Sequence, residues 1–192
     1  MEGNLLFPVF FRLDKLKLLV VGGGMVGTEK ITAIHKSSPN AHIKVVAPYI
    51  SDEIVHLSKS GFDIELFYKP FEKSDLEGID LVVIATADHE LNRQVRAETK
   101  LKKILTNVAD TPDECDFYLG SIVKKGDLKI AISTNGKSPT FAKRFREILE
   151  EILPEGIQQI LENLTQIRSK LKGDFEYKVQ KLNEITTIEK EK

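Results

Sequence analysis

The chain has 192 residues, enough for one hydrophobic core of roughly 100 to 150 residues and a smaller appended region. Its 28 Lys and Arg residues balance 29 Asp and Glu residues, and the formal net charge of -1 gives no global field that would attract nucleic acid. The single cysteine, Cys115, excludes an internal disulfide and favours a reducing, cytoplasmic location, while the lack of an apolar run of about 20 residues predicts a soluble protein without a membrane partner.

The first half of the chain alternates apolar strands with helices. Residues 16–21 form a short apolar run that ends in three glycines, which is typical of a strand buried on both faces of a parallel sheet. A helix at 25–38 and a strand at 43–47 complete a β-α-β unit. The alternation continues with helices at 51–60 and 88–100 and with strands at 63–67, 81–85 and 104–108. This pattern predicts an α/β fold with a doubly wound parallel sheet of the Rossmann class.

The turn after the first strand carries the pattern G-x-G-x-x-G through Gly22, Gly24 and Gly27. The first glycine allows a tight turn, the second lets the backbone approach a pyrophosphate, and the third lets helix and strand pack closely. Because the free amides at the start of the helix can hold phosphates, the pattern predicts a dinucleotide site rather than a glycine-rich turn without a ligand.

The tip of the second strand lacks the carboxylate that often reads the adenosine ribose. The usual position lies about 20 residues after the glycines. Here the tip is Val46-Ala47-Pro48-Tyr49, and Asp52 on the next helix is a further candidate. Spacing alone therefore leaves NAD and NADP both open.

The exits of the fourth and fifth strands are polar, at residues 85–88 and 107–110. Ligands of open α/β sheets lie beyond the carboxyl ends of the strands, so both exits are candidate site segments. Asp110 has two interpretations. It is either a loop carboxylate that hydrogen-bonds nearby amides to fix a turn, or a general base beside the nicotinamide site.

A second module is predicted after about residue 112. Residues 118–123 and 127–132 indicate paired strands, and Ser138-Pro139 indicates a helix start that is followed by apolar residues at helical spacing. Pro154 and Gly156 end that helix, and a further amphipathic helix follows. A hairpin with two or three helices makes a poor independent core, so we expect it to pack on the first domain or on a second copy, with a homodimer as the simplest arrangement.

The start of the helix after Ser138 is basic. Lys137, Lys143, Arg144 and Arg146 could receive the carboxylates of a substrate there, or they could form a solvated helix face. Histidines at four scattered positions show no paired ligand spacing, and we therefore expect no preformed metal site. They are His35, His42, His56 and His89.

Seven short motifs occur in order between about residues 5 and 155. They are Phe7-Pro8-Val9-Phe10, Gly22-Gly23-Gly24-Met25-Val26, Glu29-Lys30, Val45-Val46-Ala47-Pro48, Ala85-Thr86, Asn107-Val108-Ala109-Asp110 and Ser138-Pro139. In this order they resemble the siroheme synthase N-terminal module, the precorrin-2 dehydrogenase family. The resemblance is specific because ordinary Rossmann proteins lack the Ser-Pro helix start after a hairpin.

The resemblance implies three parts and one main reaction. The parts are an NAD-binding Rossmann domain at 1–117, a dimerisation region at 118–153 that completes the partner's site, and a small helical region at 154–192. The implied reaction is the oxidation of precorrin-2 to sirohydrochlorin with hydride transfer to NAD⁺. Bifunctional members also insert Fe²⁺ or Co²⁺ into sirohydrochlorin, and the short helical tail leaves that activity open.

The resemblance also implies roles for individual residues. Asp110 matches the family's general base, and the Ala-Pro at the second strand tip favours NAD. The expected cofactor-binding residues are Gly22, Gly24, Met25, Val26, Gly27, Ala47, Pro48, Tyr49, Thr86 and Asn107. The expected substrate-binding residues are Lys137, Ser138, Lys143 and Arg144.

Two departures and one alternative complete the prediction. Thr134 stands where some relatives have a serine that can be phosphorylated, and this puts regulation there in doubt. The methyltransferase half of the fused synthases is absent, so we do not expect this chain to make precorrin-2. The alternative function is a non-catalytic NAD-sensing module whose C-terminal helices contact a partner protein.

Overall fold

The computed structural model describes residues 3–186, and the chain divides after Gly120 into two units. The outer ends of the first and third predicted parts, residues 1–2 and 187–192, lie outside the described residues. The first unit alternates strands and helices: β1 (Lys17–Gly23), α1 (Met25–Ser37), β2 (His42–Ile50), α2 (Asp52–Lys59), β3 (Ile64–Phe67), β4 (Leu81–Ile84), α3 (His89–Lys102) and β5 (Leu105–Val108). The second contains β6 (Ser121–Lys125), β7 (Leu128–Ile132), α4 (Pro139–Ile152), α5 (Ile157–Lys170) and α6 (Phe175–Thr186).

The five strands of the first unit pair in parallel in the order β3-β2-β1-β4-β5. Alternate side chains of β1 enter two separate cores: Leu18 and Val20 lie in the cluster with Ile31 of α1, while Leu19 and Val21 lie in the cluster with Val95 of α3. Both faces of the sheet are therefore covered, which explains the continuous apolar strands. The order reverses between β1 and β4, and this topological switch point is where ligands of such sheets bind.

Strand β2 is longer than predicted. It runs to Ile50 because Gly23, after an irregularity in β1, pairs with Ile50 and extends the ladder beyond the predicted end at residue 47. Ser51 then caps α2 by accepting a hydrogen bond from the Ile54 amide. The irregularity brings the start of α2 beside the glycine turn.

The second unit consists of an antiparallel hairpin and three helices. Strands β6 and β7 pair across Gly126, whose φ of +57° suits a tight turn. Val123 and Ala142 are its only buried apolar side chains among residues 121–186. The predicted Rossmann sheet followed by a hairpin and helices is confirmed, while the dimerisation role stays a prediction.

Helix α6 was not delimited by the sequence analysis. It begins after Gly173, which has a φ of +129°, and Asp174 accepts a hydrogen bond from the Tyr177 amide at 2.9 Å. No helix in the described part of the chain is long and apolar enough to cross a membrane.

Candidate active site

The glycine turn between β1 and α1 is shaped by two close backbone approaches. Gly22 has a φ of +114°, and a side chain there would collide with the carbonyl oxygen of Ala85. A side chain on Gly27 would collide with the carbonyl oxygen of Gly22. Only glycine fits either position, and the start of α1 is thereby held against the ends of β1 and β4.

Gly24, in contrast, has open space beside it. No heavy atom of the described residues, other than its immediate neighbours, lies within 4 Å of where its side chain would begin. Gly24 is the N-cap of α1, which has neither a capping side chain nor an acidic residue in its first turn, whereas Ser51, Asp88 and Ser138 cap α2, α3 and α4. The first amides of α1 are therefore available to an anion, and the open backbone fits a diphosphate.

Ser51 and Thr28 fix this turn to the end of β2. The Ser51 amide donates to the Gly23 carbonyl at 2.8 Å, and the Ser51 and Thr28 hydroxyls share a hydrogen bond of 2.7 Å. Thr28 also donates to the Gly24 carbonyl at 3.0 Å. Sequence analysis missed both residues, although Ser51 before two acidic residues is a recognisable helix-capping signal.

Three of the predicted cofactor residues beside the turn are open to solvent and a fourth is not. Met25 is 85% exposed and Tyr49 is 69% exposed, and Pro48 is exposed beside Tyr49. Ala47 is buried in the core cluster between the sheet and α1. The side chains of Met25, Pro48 and Tyr49 are accessible to a ligand, whereas the side chain of Ala47 is not.

Thr86 organises the loop that follows β4. Its hydroxyl donates to the Oδ1 atom of Asn92 at 2.5 Å and accepts from the Asp88 amide at 3.1 Å, while Asn92 Nδ2 donates to the Thr86 carbonyl at 3.1 Å. The Thr86 methyl group lies 3.1 Å from where a Gly22 side chain would begin. Asn92, which is buried and was not predicted, thus fixes Thr86 and the loop after β4 beside the glycine turn.

Asp110 follows β5 in an unusual conformation. Its φ is +60°, its side chain is exposed, and its carboxylate has no hydrogen-bond or ion-pair partner among residues 3–186. The turn is therefore fixed by groups other than this carboxylate, contrary to the first interpretation of Asp110. A left-handed non-glycine residue with an unpaired carboxylate is a feature typical of functional loops.

The side chain of Asn107 is turned toward the chain that follows Asp110. Asn107 is buried, and its Nδ2 atom donates to the Phe117 carbonyl at 2.9 Å and lies 3.5 Å from the Cys115 sulfur. The side-chain amide of Asn107 therefore holds the loop between Asp110 and Phe117 against β5. Its cofactor role stays a prediction.

Asp116 ties the end of the same loop to α3 and β5. Its two carboxylate oxygens accept from Arg96 Nη1 and Nη2, each at 2.8 Å, and one of them also accepts from the Thr106 amide at 2.9 Å. Burial alone would raise the pKa of Asp116, but these hydrogen bonds and the charge of Arg96 lower its pKa below the ordinary value. The carboxylate is thus held ionised.

The predicted substrate residues lie in the second unit. Ser138 caps α4 by accepting from the Phe141 amide at 3.1 Å, and its own amide donates to the Thr134 hydroxyl at 3.2 Å. Lys137 and Lys143 are exposed and form no ion pair with any residue that the structure describes. The Arg144 guanidinium pairs with Glu147 at 3.1 Å.

The described residues do not gather a metal site: within 3–186, no three His, Cys, Asp or Glu side chains come together to hold an ion. The fold and the uncapped glycine turn instead define an NAD(P)-binding protein. The family model described as NAD(P)-binding matches residues 9–121, and the model described as sirohaem biosynthesis protein central matches residues 125–152.

Known relatives narrow this class. The siroheme synthase of Psychrobacter arcticus is 36% identical over 92% of this chain, and that of Nitrosomonas europaea is 34% identical over 88%. The alignments cover 31% and 35% of these relatives, so the chain spans about a third of their length. A solved structure of SirC, precorrin-2 dehydrogenase, is 29% identical, has a TM-score of 0.75 and matches over 95% of this chain and 90% of that one. The chain belongs to the family of siroheme synthase N-terminal modules, as its sequence motifs predict.

Proposed function

We propose that this chain oxidises precorrin-2 to sirohydrochlorin in the cytoplasm with NAD⁺ as the oxidant. The observation that carries the proposal is the pairing, at the carboxyl ends of the parallel strands, of an uncapped helix start at Gly24 with the unpaired carboxylate of Asp110. The similarity to SirC, named a precorrin-2 dehydrogenase, supports the substrate. A sensor would need the first feature but not the second.

The proposed chemistry removes a hydride and a proton from the substrate. When bound, NAD⁺ accepts the hydride. The amides at the start of α1 would hold its diphosphate, and the exposed Asp110 carboxylate accepts the proton that the substrate loses in addition to the hydride. Lys137, Lys143 and Arg144 supply positive charge for the carboxylates of the tetrapyrrole, with the two lysines free of ion pairs among the described residues.

NAD is the proposed cofactor rather than NADP because, among the residues that the structure describes, the segments after β2 and β3 offer no unpaired cation. Lys69 is the only basic residue in segments 47–54 and 67–72, which follow β2 and β3. Its ammonium group is 2.7 Å from Glu72 and 3.0 Å from Asp75. Asp52 and Glu53, exposed in the first turn of α2, would repel a 2′-phosphate.

A homodimer is proposed from the surface of α4. Four apolar residues lie on one stripe of this helix and are exposed to between 41% and 65%: Phe141, Phe145, Ile148 and Ile152. The Phe141 and Phe145 rings stack with their centroids 6.0 Å apart. Such a stripe requires a covering surface, and in a homodimer an equivalent patch on a second copy supplies it.

The proposal is tested by mixing the purified chain with precorrin-2 and NAD⁺ and following NADH absorbance. We expect stoichiometric NADH and sirohydrochlorin, and a weaker response with NADP⁺. Binding of NAD⁺ without turnover would instead favour the sensing module. Insertion of Fe²⁺ or Co²⁺ stays a prediction for this chain, tested by comparing the rate with sirohydrochlorin against the uncatalysed rate.

A further inference from the structure

The backbone at Asp110 has to be held by its surroundings. A left-handed conformation costs an ordinary residue about 1 to 2 kcal/mol, and the Asp110 side chain makes no hydrogen bond within the described residues that would offset it. The proposed reaction nevertheless requires this carboxylate to stay at a defined place beside the substrate. Other groups in the loop must therefore fix it.

The Cys115 sulfur contacts the chain on both sides of Asp110. It lies 3.2 Å from both the amide nitrogen and the carbonyl oxygen of Val108, and 3.5 Å from the carbonyl oxygen of Thr111. Burial raises the pKa of the Cys115 thiol, which keeps it protonated and able to donate to a carbonyl. The Cys115 side chain thus contacts the backbone both before and after Asp110, the residue in the left-handed conformation.

Arg96 and Asp116 hold Cys115 in turn. The Asp116 amide donates to the Thr106 carbonyl at 2.8 Å. The Asp116 carboxylate accepts hydrogen bonds from the Arg96 guanidinium and from the Thr106 amide. The Arg96 side chain is only 16% exposed. The loop that begins after Val108 therefore returns to β5 at Asp116, the residue next to Cys115.

The geometry points to Arg96, Asp116 and Cys115 as positioning residues that hold Asp110 where it takes the substrate proton. We call these three side chains the loop clamp. This inference rests on the proposed function, because it assigns the clamp a role in the same reaction. The clamp acts on Asp110 through the backbone of residues 108–111, which the Cys115 sulfur contacts.

The test compares Arg96→Gln, which removes the fork, with Arg96→Lys, which keeps the charge, in the full chain. Lys44→Gln is the matched control, because it breaks another half-buried ion pair, Lys44–Asp75 at 2.9 Å, without touching the loop. Three quantities are measured: kcat with precorrin-2, the Kd for NAD⁺, and the rate at which a thiol reagent modifies Cys115. The last readout is unambiguous because Cys115 is the only cysteine of the chain.

For Arg96→Gln we expect kcat to fall by about 10- to 100-fold with the Kd for NAD⁺ within about twofold of the original, since small displacements of a catalytic group have effects of this size. The kcat of Arg96→Lys should lie between that of Arg96→Gln and that of the unaltered chain. Thiol modification should accelerate in Arg96→Gln, and Lys44→Gln should change neither kcat nor the modification rate. If Arg96→Gln does not fold, Arg96→Lys and Cys115→Ser carry the same kcat comparison.

Two results would overturn the clamp. One is unchanged thiol reactivity in a folded Arg96→Gln protein, and the other is faster modification with an unchanged kcat. Failure of the proposed function has a different signature. In that case the unaltered chain binds NAD⁺ but does not oxidise precorrin-2, and the thiol readout still decides whether Arg96 closes the loop.

Discussion

The two units of the chain differ in where their apolar side chains go. In residues 3–120, both faces of the sheet are covered by helices, and strands β1 and β4 are completely buried after Lys17. In residues 121–186, only Val123 and Ala142 are buried, while α4 presents its apolar stripe to solvent. The difference teaches that the first unit contains its own stabilising core, whereas the second buries few apolar side chains and leaves an apolar stripe exposed, as the proposed dimer would require.

Replacing Asp110 is the most severe test of the chemical role assigned to the first unit. For Asp110→Asn we expect the rate of sirohydrochlorin formation to fall by about 10²- to 10⁴-fold. NAD⁺ binding should be retained, because the substitution removes the proton acceptor but leaves the glycine turn between β1 and α1 unchanged. Asp113→Asn, an exposed carboxylate of the same loop, is the control and should keep its rate. Turnover is measured by NADH absorbance. A normal rate in Asp110→Asn would remove this residue from catalysis.

Gly24 and Gly27 separate binding from folding within the first unit. Gly24→Val enters open space, so we expect a near-normal melting temperature but roughly tenfold or greater loss of NAD⁺ affinity. Gly27→Ala meets the Gly22 carbonyl and should destabilise the fold by about 1 to 3 kcal/mol. Calorimetric binding and thermal unfolding measure the two effects. Equal behaviour of the variants would contradict the division of roles.

A charge on the α4 stripe tests the open surface of the second unit. We expect Phe145→Asp to weaken the proposed dimer by at least about 2 kcal/mol, roughly 30-fold in its dissociation constant, because a charge would be buried at the interface. Light scattering over a concentration series measures the change, and Lys143→Asp, beside the stripe, is the charge control. A protein that is monomeric before substitution would refute the proposed dimer.

Acid should weaken the first unit through its buried carboxylates. Burial alone would raise the pKa of Asp75, but hydrogen bonds from the Glu72 amide, Lys44 and Lys69 lower its pKa below 3.8. A carboxyl with a lowered folded-state pKa stabilises above its unfolded value, so this contribution is complete above about pH 4 and is lost as the pH falls below it. Urea unfolding from about pH 7 to about pH 3 should show a shallower decline in Asp75→Asn than in the unaltered chain. Identical slopes would contradict the assignment.

The elements of the first unit were predictable because their signals are local. A buried parallel sheet is predicted by the apolar runs of β1 and β4. A dinucleotide-binding turn is predicted by the glycines between β1 and α1. The extension of β2 to Ile50 was not predictable, since it depends on pairing with Gly23 across the sheet. The same periodicity found the hairpin and α4, yet it did not delimit α6.

The site was predictable in outline but not in its supporting contacts. The ends of the parallel strands pointed to Thr86 and Asp110, because polar residues there follow apolar ones. Asn92 and Arg96 gave no such signal, since each is one polar residue on an amphipathic helix. Their partners, Thr86 and Asp116, lie 6 and 20 residues away in sequence, and only folding brings them together.

On the proposed function, the helix start at Gly24 also links the lifetime of the protein to the dinucleotide concentration of its surroundings. Ser51, Asp88 and Ser138 accept hydrogen bonds from first-turn amides of α2, α3 and α4, whereas no side chain does so at α1, where the proposed dinucleotide would place its diphosphate. By mass action, a dinucleotide at 100 times its dissociation constant adds about 2.7 kcal/mol to the free energy of unfolding. Depletion of a dinucleotide bound there would therefore lower the heat resistance of the chain and expose more of it to proteolysis.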